Sequence, residues 1–230
     1  MILILTFIAW ITTYVHGAMN MKPGDGSAAS ARLYNARDEH LGITPEDRPA
    51  AEHAWAEMEA ALAIVTGVID EAEARVLTAR PDGFFDFTAL HKPAGFALDE
   101  INIVYPEAVR AAREVRASDF GTLLDRSLSA PHAVAPRDMR PWWEPRTHSL
   151  AAARKTARYL AGDMALSIRE GDEAAFVKSF ERTIGIASRL WPGAFTIEPL
   201  VAESIESYAL HELERQLLRH RFSFVHVAQA

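Results

Sequence analysis

The chain of 230 residues carries 31 acidic against 24 basic side chains, a net charge of −7, with 49% hydrophobic residues and no cysteine. The lack of cysteine excludes disulfides, thiolate zinc sites, iron–sulfur clusters, covalent c-type haem and cysteine nucleophiles. The acidic balance argues against a general nucleic-acid binder, which needs a concentrated positive surface, and the length and apolar content allow one or two compact units with a packed core.

Residues 1–21 contain no Lys, Arg, Asp or Glu and read as a membrane anchor or signal segment. Ile2, Leu3, Ile4, Leu5, Phe7, Ile8, Trp10, Ile11 and Tyr14 are the side chains expected to meet lipid, each buried Ile or Leu contributing roughly 1.5–3 kcal/mol. A spanning helix needs about 20 residues, which this segment just supplies. A cleaved signal lacks its positive n-region here, with only a tolerable cleavage site at Val15-His16-Gly17, and a buried core element is the third alternative. The missing n-region also leaves open a natural start further upstream. The anchor reading implies a single pass with the bulk of the chain extracytoplasmic. His16 reads as an interfacial histidine in preference to a pigment or haem ligand.

Residues 22–30, rich in Gly, Ser and Ala, are expected to form a flexible tether. A short helix follows around 31–40, closed by Gly42. Thr44-Pro45-Glu46-Asp47 is a helix start with a capping hydroxyl, an early proline and acids in the first turn. The helix it opens should run to about Thr78, because Trp55, Met58, Leu62, Val65, Ile69 and Val76 recur near a 3.6-residue period. Residues 80–100 combine Pro and Gly with four phenylalanines and predict an irregular connection. Pro106 opens a helix to about Arg116, and Ser118-Asp119 caps another to about Leu128. Residues 131–145 form a second irregular connection.

The C-terminal stretch is the most regular. Helices are expected over 147–170, from Asp172 to Leu190 and from Thr196 to about His220, broken at Gly171-Asp172 and Trp191-Pro192-Gly193. Short breaks make consecutive helices antiparallel neighbours. The fold class is therefore all-α, an antiparallel helical-hairpin body with irregular Pro/Gly/Phe-rich connections. Its division is a helical region at 31–145 and a three-helix unit at 146–230.

Strong catalytic motifs are lacking. No His pair has metal-binding helical spacing, and His211-Glu212 begins like a zincin motif but places Arg215 where the second ligand belongs. Glu203 and Glu206 share a face like the acids of a di-metal site, yet the same pair serves as a solvated face complementing a helix N-terminus. Arg215, Arg219, His220 and Arg221 complement a helix C-terminus in the same way. Asp138, His148 and Ser149 have the residue types of a hydrolase triad, as many chains do by chance. Neither catalytic, metal nor cofactor residues are assigned.

The most unusual stretch is Met139-Arg140-Pro141-Trp142-Trp143-Glu144-Pro145-Arg146. Two tryptophans held between prolines and arginines are what binding hot spots are made of, so Arg140, Trp142, Trp143 and Arg146 are the candidate partner-binding residues. The same rings could plug the junction between the two helical halves.

The segment 164–190, with Gly171, Ala175 and Phe180, resembles a tetratricopeptide-type helical hairpin, which implies a helix pair that stacks to form a peptide-binding surface; a second copy at the 34-residue period is not visible. The apolar start, the stretch from Pro45 to Trp55, the Gly171-Asp172 hairpin and Pro199-Leu200-Val201 together resemble uncharacterised bacterial proteins with one N-terminal membrane segment and a helical body. That resemblance implies a bacterial membrane location and carries no activity. The expected function is a membrane-tethered helical interaction or scaffold protein with lipid and protein partners, such as a subunit of a membrane complex. The alternative is an envelope hydrolase or carbohydrate-active enzyme using Asp, Glu and His in a cleft beside Trp142-Trp143.

Overall fold

A computed structural model of the protein describes residues 25–79, 105–137, 148–192 and 197–219. All seven of its elements there are helices: α1 (Asp25–Leu41), α2 (Arg48–Ala79), α3 (Pro106–Ala117), α4 (Phe120–Ser129), α5 (His148–Glu170), α6 (Glu173–Leu190) and α7 (Ile197–Arg219). The chain is all-α over these residues. None of these helices is long and apolar enough to cross a membrane. The expected anchor at 1–21 and the Phe-rich connection at 80–100 lie outside the described residues.

Local signals set the helix ends. Gly42 and Gly171 adopt φ of +67° and +75°, the left-handed conformation that glycine reaches without strain, and each ends a helix. In both places two amides turn back onto the last turn. Gly42 N–H donates to Glu39 O and Ile43 N–H to Asp38 O, and Gly171 N–H and Asp172 N–H donate to Ile168 O and Ser167 O. Asp172 then caps α6, its carboxylate accepting from Ala175 N–H at 2.9 Å. At the start of α2, Thr44 Oγ accepts from Asp47 N–H at 3.2 Å while Thr44 Oγ–H donates to Asp47 Oδ2 at 2.7 Å, a reciprocal cap.

One element starts earlier than the composition implies. Residues 25–30, expected within the tether, are the first turns of α1. Alanine and serine there are compatible with helix, and Ser30 is fully buried, so packing overrides the flexibility suggested by the neighbouring glycines.

α5, α6 and α7 pack mutually as a three-helix unit, and α2 lies across α3, α4 and α5. The largest core cluster draws on both sides of residue 146. It joins Trp55, Met58, Leu62 and Val65 of α2 to Val115, Phe120 and Leu124, to Leu150 and Leu160 of α5, and to Ile186 and Ile205. Of the stripe read from the α2 sequence, Val76 alone is only half-buried.

α4 and α6 meet closely at two glycines. A Cβ on Gly185 would sit 2.6 Å from Leu128 Cδ1, and one on Gly121 would sit 2.6 Å from Arg182 Nη2. The space at Gly121 is what lets Arg182 grip Asp125 with two bonds, at 3.0 and 2.9 Å, while lying over the Phe120 ring. Burial alone would raise the Asp125 carboxyl, but Arg182, helped by Lys178, outweighs it and holds the group below the usual carboxylate range.

The Asp172 cap is testable. Asp172→Ala should lower stability by about 0.5–2 kcal/mol, measured as a reduced urea midpoint with an unchanged m-value. An unshifted midpoint would place the start of α6 elsewhere.

Candidate functional site

The chain leaves α4 at Ser129 and runs from Ala130 to Arg137 without regular structure, so its backbone groups need partners from elsewhere. Arginines supply several of them. Arg189 of α6 donates to the carbonyls of Leu128 (2.7 Å), Ala130 (2.5 Å) and Pro131 (3.1 Å), placing a cation at the negative end of α4. Burial pulls Arg189 below the ordinary arginine range. Arg37 of α1 reaches Ala135 O at 3.5 Å, and Val134 N–H donates to Ala51 O at 3.1 Å while its side chain packs with Ile43 and Ala51. At the far end Arg137 donates to Asn35 Oδ1 at 2.6 Å and to Asp38 Oδ2 at 3.1 Å.

This clamped segment is the stem of the tryptophan-bearing stretch. Arg140, Trp142, Trp143 and Arg146 begin three residues after Arg137 and lie outside the described residues, as do Asp138 and the side chain of His148. The structure fixes the backbone on both sides of them, at Arg137 and at the start of α5.

Asp38, 3% exposed, is the hub of the stem. Its carboxylate accepts from Arg37 Nε and Nη2 at 3.0 and 2.9 Å, from Arg48, and from Arg137, so one acid joins α1, α2 and the stem. Burial would raise its proton affinity, but hydrogen bonds from Arg48 and Arg37 outweigh that and keep the carboxyl below its ordinary range.

A second buried network lies between α3, α5 and α6. Arg116 donates to Asp163 Oδ1 at 2.6 Å, to Ser167 Oγ at 2.8 Å and to Glu170 Oε2 at 2.5 Å. Ser179 Oγ–H donates to the second oxygen of Asp163 at 2.7 Å. Burial raises the Asp163 carboxyl despite Arg116, and it raises the phenol of the nearby Tyr159 further, with the Asp163 charge adding to the effect. The sequence does carry a signal for this network: Asp163, between Leu160 and Met164, and Ser167 one turn later fall on the apolar stripe of α5.

The weaker metal-like patterns do not converge. Among the described residues, no group of three or more His, Cys, Asp or Glu could hold a metal ion. His211 is exposed, whereas Glu212 is 1% exposed and accepts from Gln216 and, at 3.3 Å, from Arg215. Glu203 is exposed, and Glu206 accepts the indole N–H of Trp191 at 2.5 Å. Beside the stem a cavity of about 10 Å³, lined by Arg37, Trp55, Arg189 and Glu198, has room for about one water.

The outer face of α7 stands apart from these polar sites. Leu200, Leu210, Leu217 and Leu218 are 51%, 54%, 58% and 81% exposed, with Ile197 and Trp191 at 49% and 45%. The periodicity of α7 does not reveal this face, because its opposite side is also apolar, burying Val201, Ala202, Ile205 and Ala209.

Breaking the Asp38 hub should be costly, because Arg37 would remain as a buried charge without its acid and Arg48 would keep only Glu52, at 3.9 Å. Asp38→Ala is expected to lose about 3–5 kcal/mol in chemical denaturation. The lowered carboxyl gives stability that is present above its unfolded value near 3.8 and lost as pH falls through the folded value. Asp38→Asn should therefore flatten the acid limb of a plot of stability against pH, and an unchanged limb would remove Asp38 from that role.

Compared with protein-family models, curated proteins and solved structures, the chain matches none of them.

Proposed function

We propose that this protein is a helical interaction module, held at a membrane by residues 1–21, that binds protein partners through the outer face of α7. One observation carries the reading. Of eight large hydrophobic side chains exposed among the described residues, six lie between Trp191 and Leu218. Scattered apolar residues are normal on a protein surface, but concentration on one element is the mark of a contact site. The stretch with Arg140, Trp142, Trp143 and Arg146 serves as a second contact, its arginine-clamped stem reducing the entropy lost when the rings are covered. The tether rests on the uncharged apolar run at the N-terminus.

Two measurements test the two halves of this reading. A photo-crosslinking residue placed at Leu210 or Leu218 of the full chain, irradiated in intact cells, should give discrete adducts, whereas the same residue at Leu33 on α1 should not. No adduct from α7, or equal labelling at Leu33, overturns the contact surface. Carbonate extraction of membranes should leave the full-length chain in the pellet, and its release would overturn the tether.

A further inference from the structure

We infer that Arg154, Arg158 and Tyr208 form a binding site for a phosphate group on the side where α5 packs against α7. The site is independent of the leucine face proposed above. It starts from two cations set side by side. Arg154 and Arg158 stand one turn apart on α5, both exposed, and like charges at that spacing repel. Arginines elsewhere are held by acids, as Arg110 is by Glu107 and Glu114 and Arg182 is by Asp125. From His148 to Gly162 α5 carries no acid, and Lys155 in that stretch is taken up by Asp70 of α2. Arg154 has no ion pair among the described residues.

Both guanidiniums turn to one phenol. Arg158 Nε–H donates to Tyr208 Oη at 3.2 Å, its guanidinium carbon 5.9 Å from the ring centre, and Arg154 reaches the same oxygen. Burial would raise the phenol, but the two arginines outweigh it and hold it below the ordinary tyrosine value. The ring is anchored, packed against the cluster of Ala161, Met164 and Phe176. Because its oxygen accepts from arginine, the Tyr208 O–H remains as a donor, with no acceptor among the described residues. The acids of α7 are engaged elsewhere or turned away. Glu212, one turn further on, is buried and accepts from Gln216 and Arg215, whereas Glu203 and Glu206 stand five and two residues before Tyr208, on other faces of the helix. Two guanidiniums and a hydroxyl thus converge with donors in excess of acceptors. A phosphate matches them with up to two negative charges and three terminal oxygens, whereas a carboxylate brings one charge and two oxygens.

Calorimetric titration of the full chain in a mild non-ionic detergent, at constant ionic strength, tests this with inorganic phosphate and with acetate. Phosphate should bind at one site per chain and acetate about tenfold more weakly. Arg154→Gln with Arg158→Gln should abolish phosphate binding, and Tyr208→Phe should weaken it about tenfold by removing a hydrogen bond to a charged group. Arg113→Gln, at another exposed arginine on α3, should leave it unchanged. The double variant should keep the thermal melt of the unliganded chain, because both side chains are exposed, and Arg154→Gln alone, which breaks no ion pair, should already weaken binding. Short-chain phosphatidic acid carried in the same micelles separates two sources of the group. Binding tighter than that of inorganic phosphate makes the occupant a lipid headgroup, and equal or weaker binding makes it a soluble phosphate. No binding of phosphate, equal binding of acetate, or binding that survives loss of both arginines would each overturn the inference.

Discussion

Arg116 is the point on which the helical framework turns. An ionised Asp163 buried between Leu160 and Met164 would cost several kcal/mol without a partner, and the guanidinium that enters from α3 removes much of that cost. It does more than neutralise. Its three nitrogens each have a separate acceptor on α5, at Asp163, Ser167 and Glu170, which follow one another along a single face of that helix. A slip of α3 by one residue would lose all three bonds together, so the register of α3 on α5 is fixed by one side chain. α4 follows after only Ser118-Asp119 and inherits that position, and the long helix α2 packs against both.

The same device recurs elsewhere among the described residues. The stretch after α4 is held by Arg37, Arg137 and Arg189, and the α4–α6 crossing by Arg182 on Asp125. Arginine outnumbers lysine by twenty to four in the sequence, and the geometry gives a reason. A planar fork reaches two or three oxygens in fixed directions, which a lysine ammonium on a flexible stem does not do. The molecule depends on the direction of its cations as much as on their charge.

The helix boundaries were legible because they are local. Thr44 with Asp47, Pro106, Gly171 with Asp172, and Pro199 in the first turn of α7 act within a few residues of where they sit, and the stripe from Trp55 to Ile69 needed only its spacing. The start of α1 was not legible, because Ser30 there is fully buried, and composition does not show burial. The polar hubs were hidden for the same reason. Asp38 meets Arg137 across 99 positions and Asp163 meets Arg116 across 47, distances at which a sequence shows charges but not partners. A carboxylate on the apolar stripe of α5 was a visible anomaly, but nothing in the residues identified Arg116 as its counter-charge. The outward leucines of α7 were likewise visible but unassigned, since a helix apolar on several sides does not declare which side faces the core.

Gly185 lies one helical turn before Arg189 on α6, and the absence of a side chain there lets α6 approach Leu128 at the end of α4. That approach is what brings the Arg189 guanidinium within reach of the carbonyls of Leu128, Ala130 and Pro131. The spacing between two helices in the body is thus geared to the posture of a surface stretch several residues away. In a genetic screen, a bulkier residue at position 185 would disturb the stretch after α4 without touching it, and the lesion would be mapped to the wrong part of the molecule unless the crossing itself were inspected.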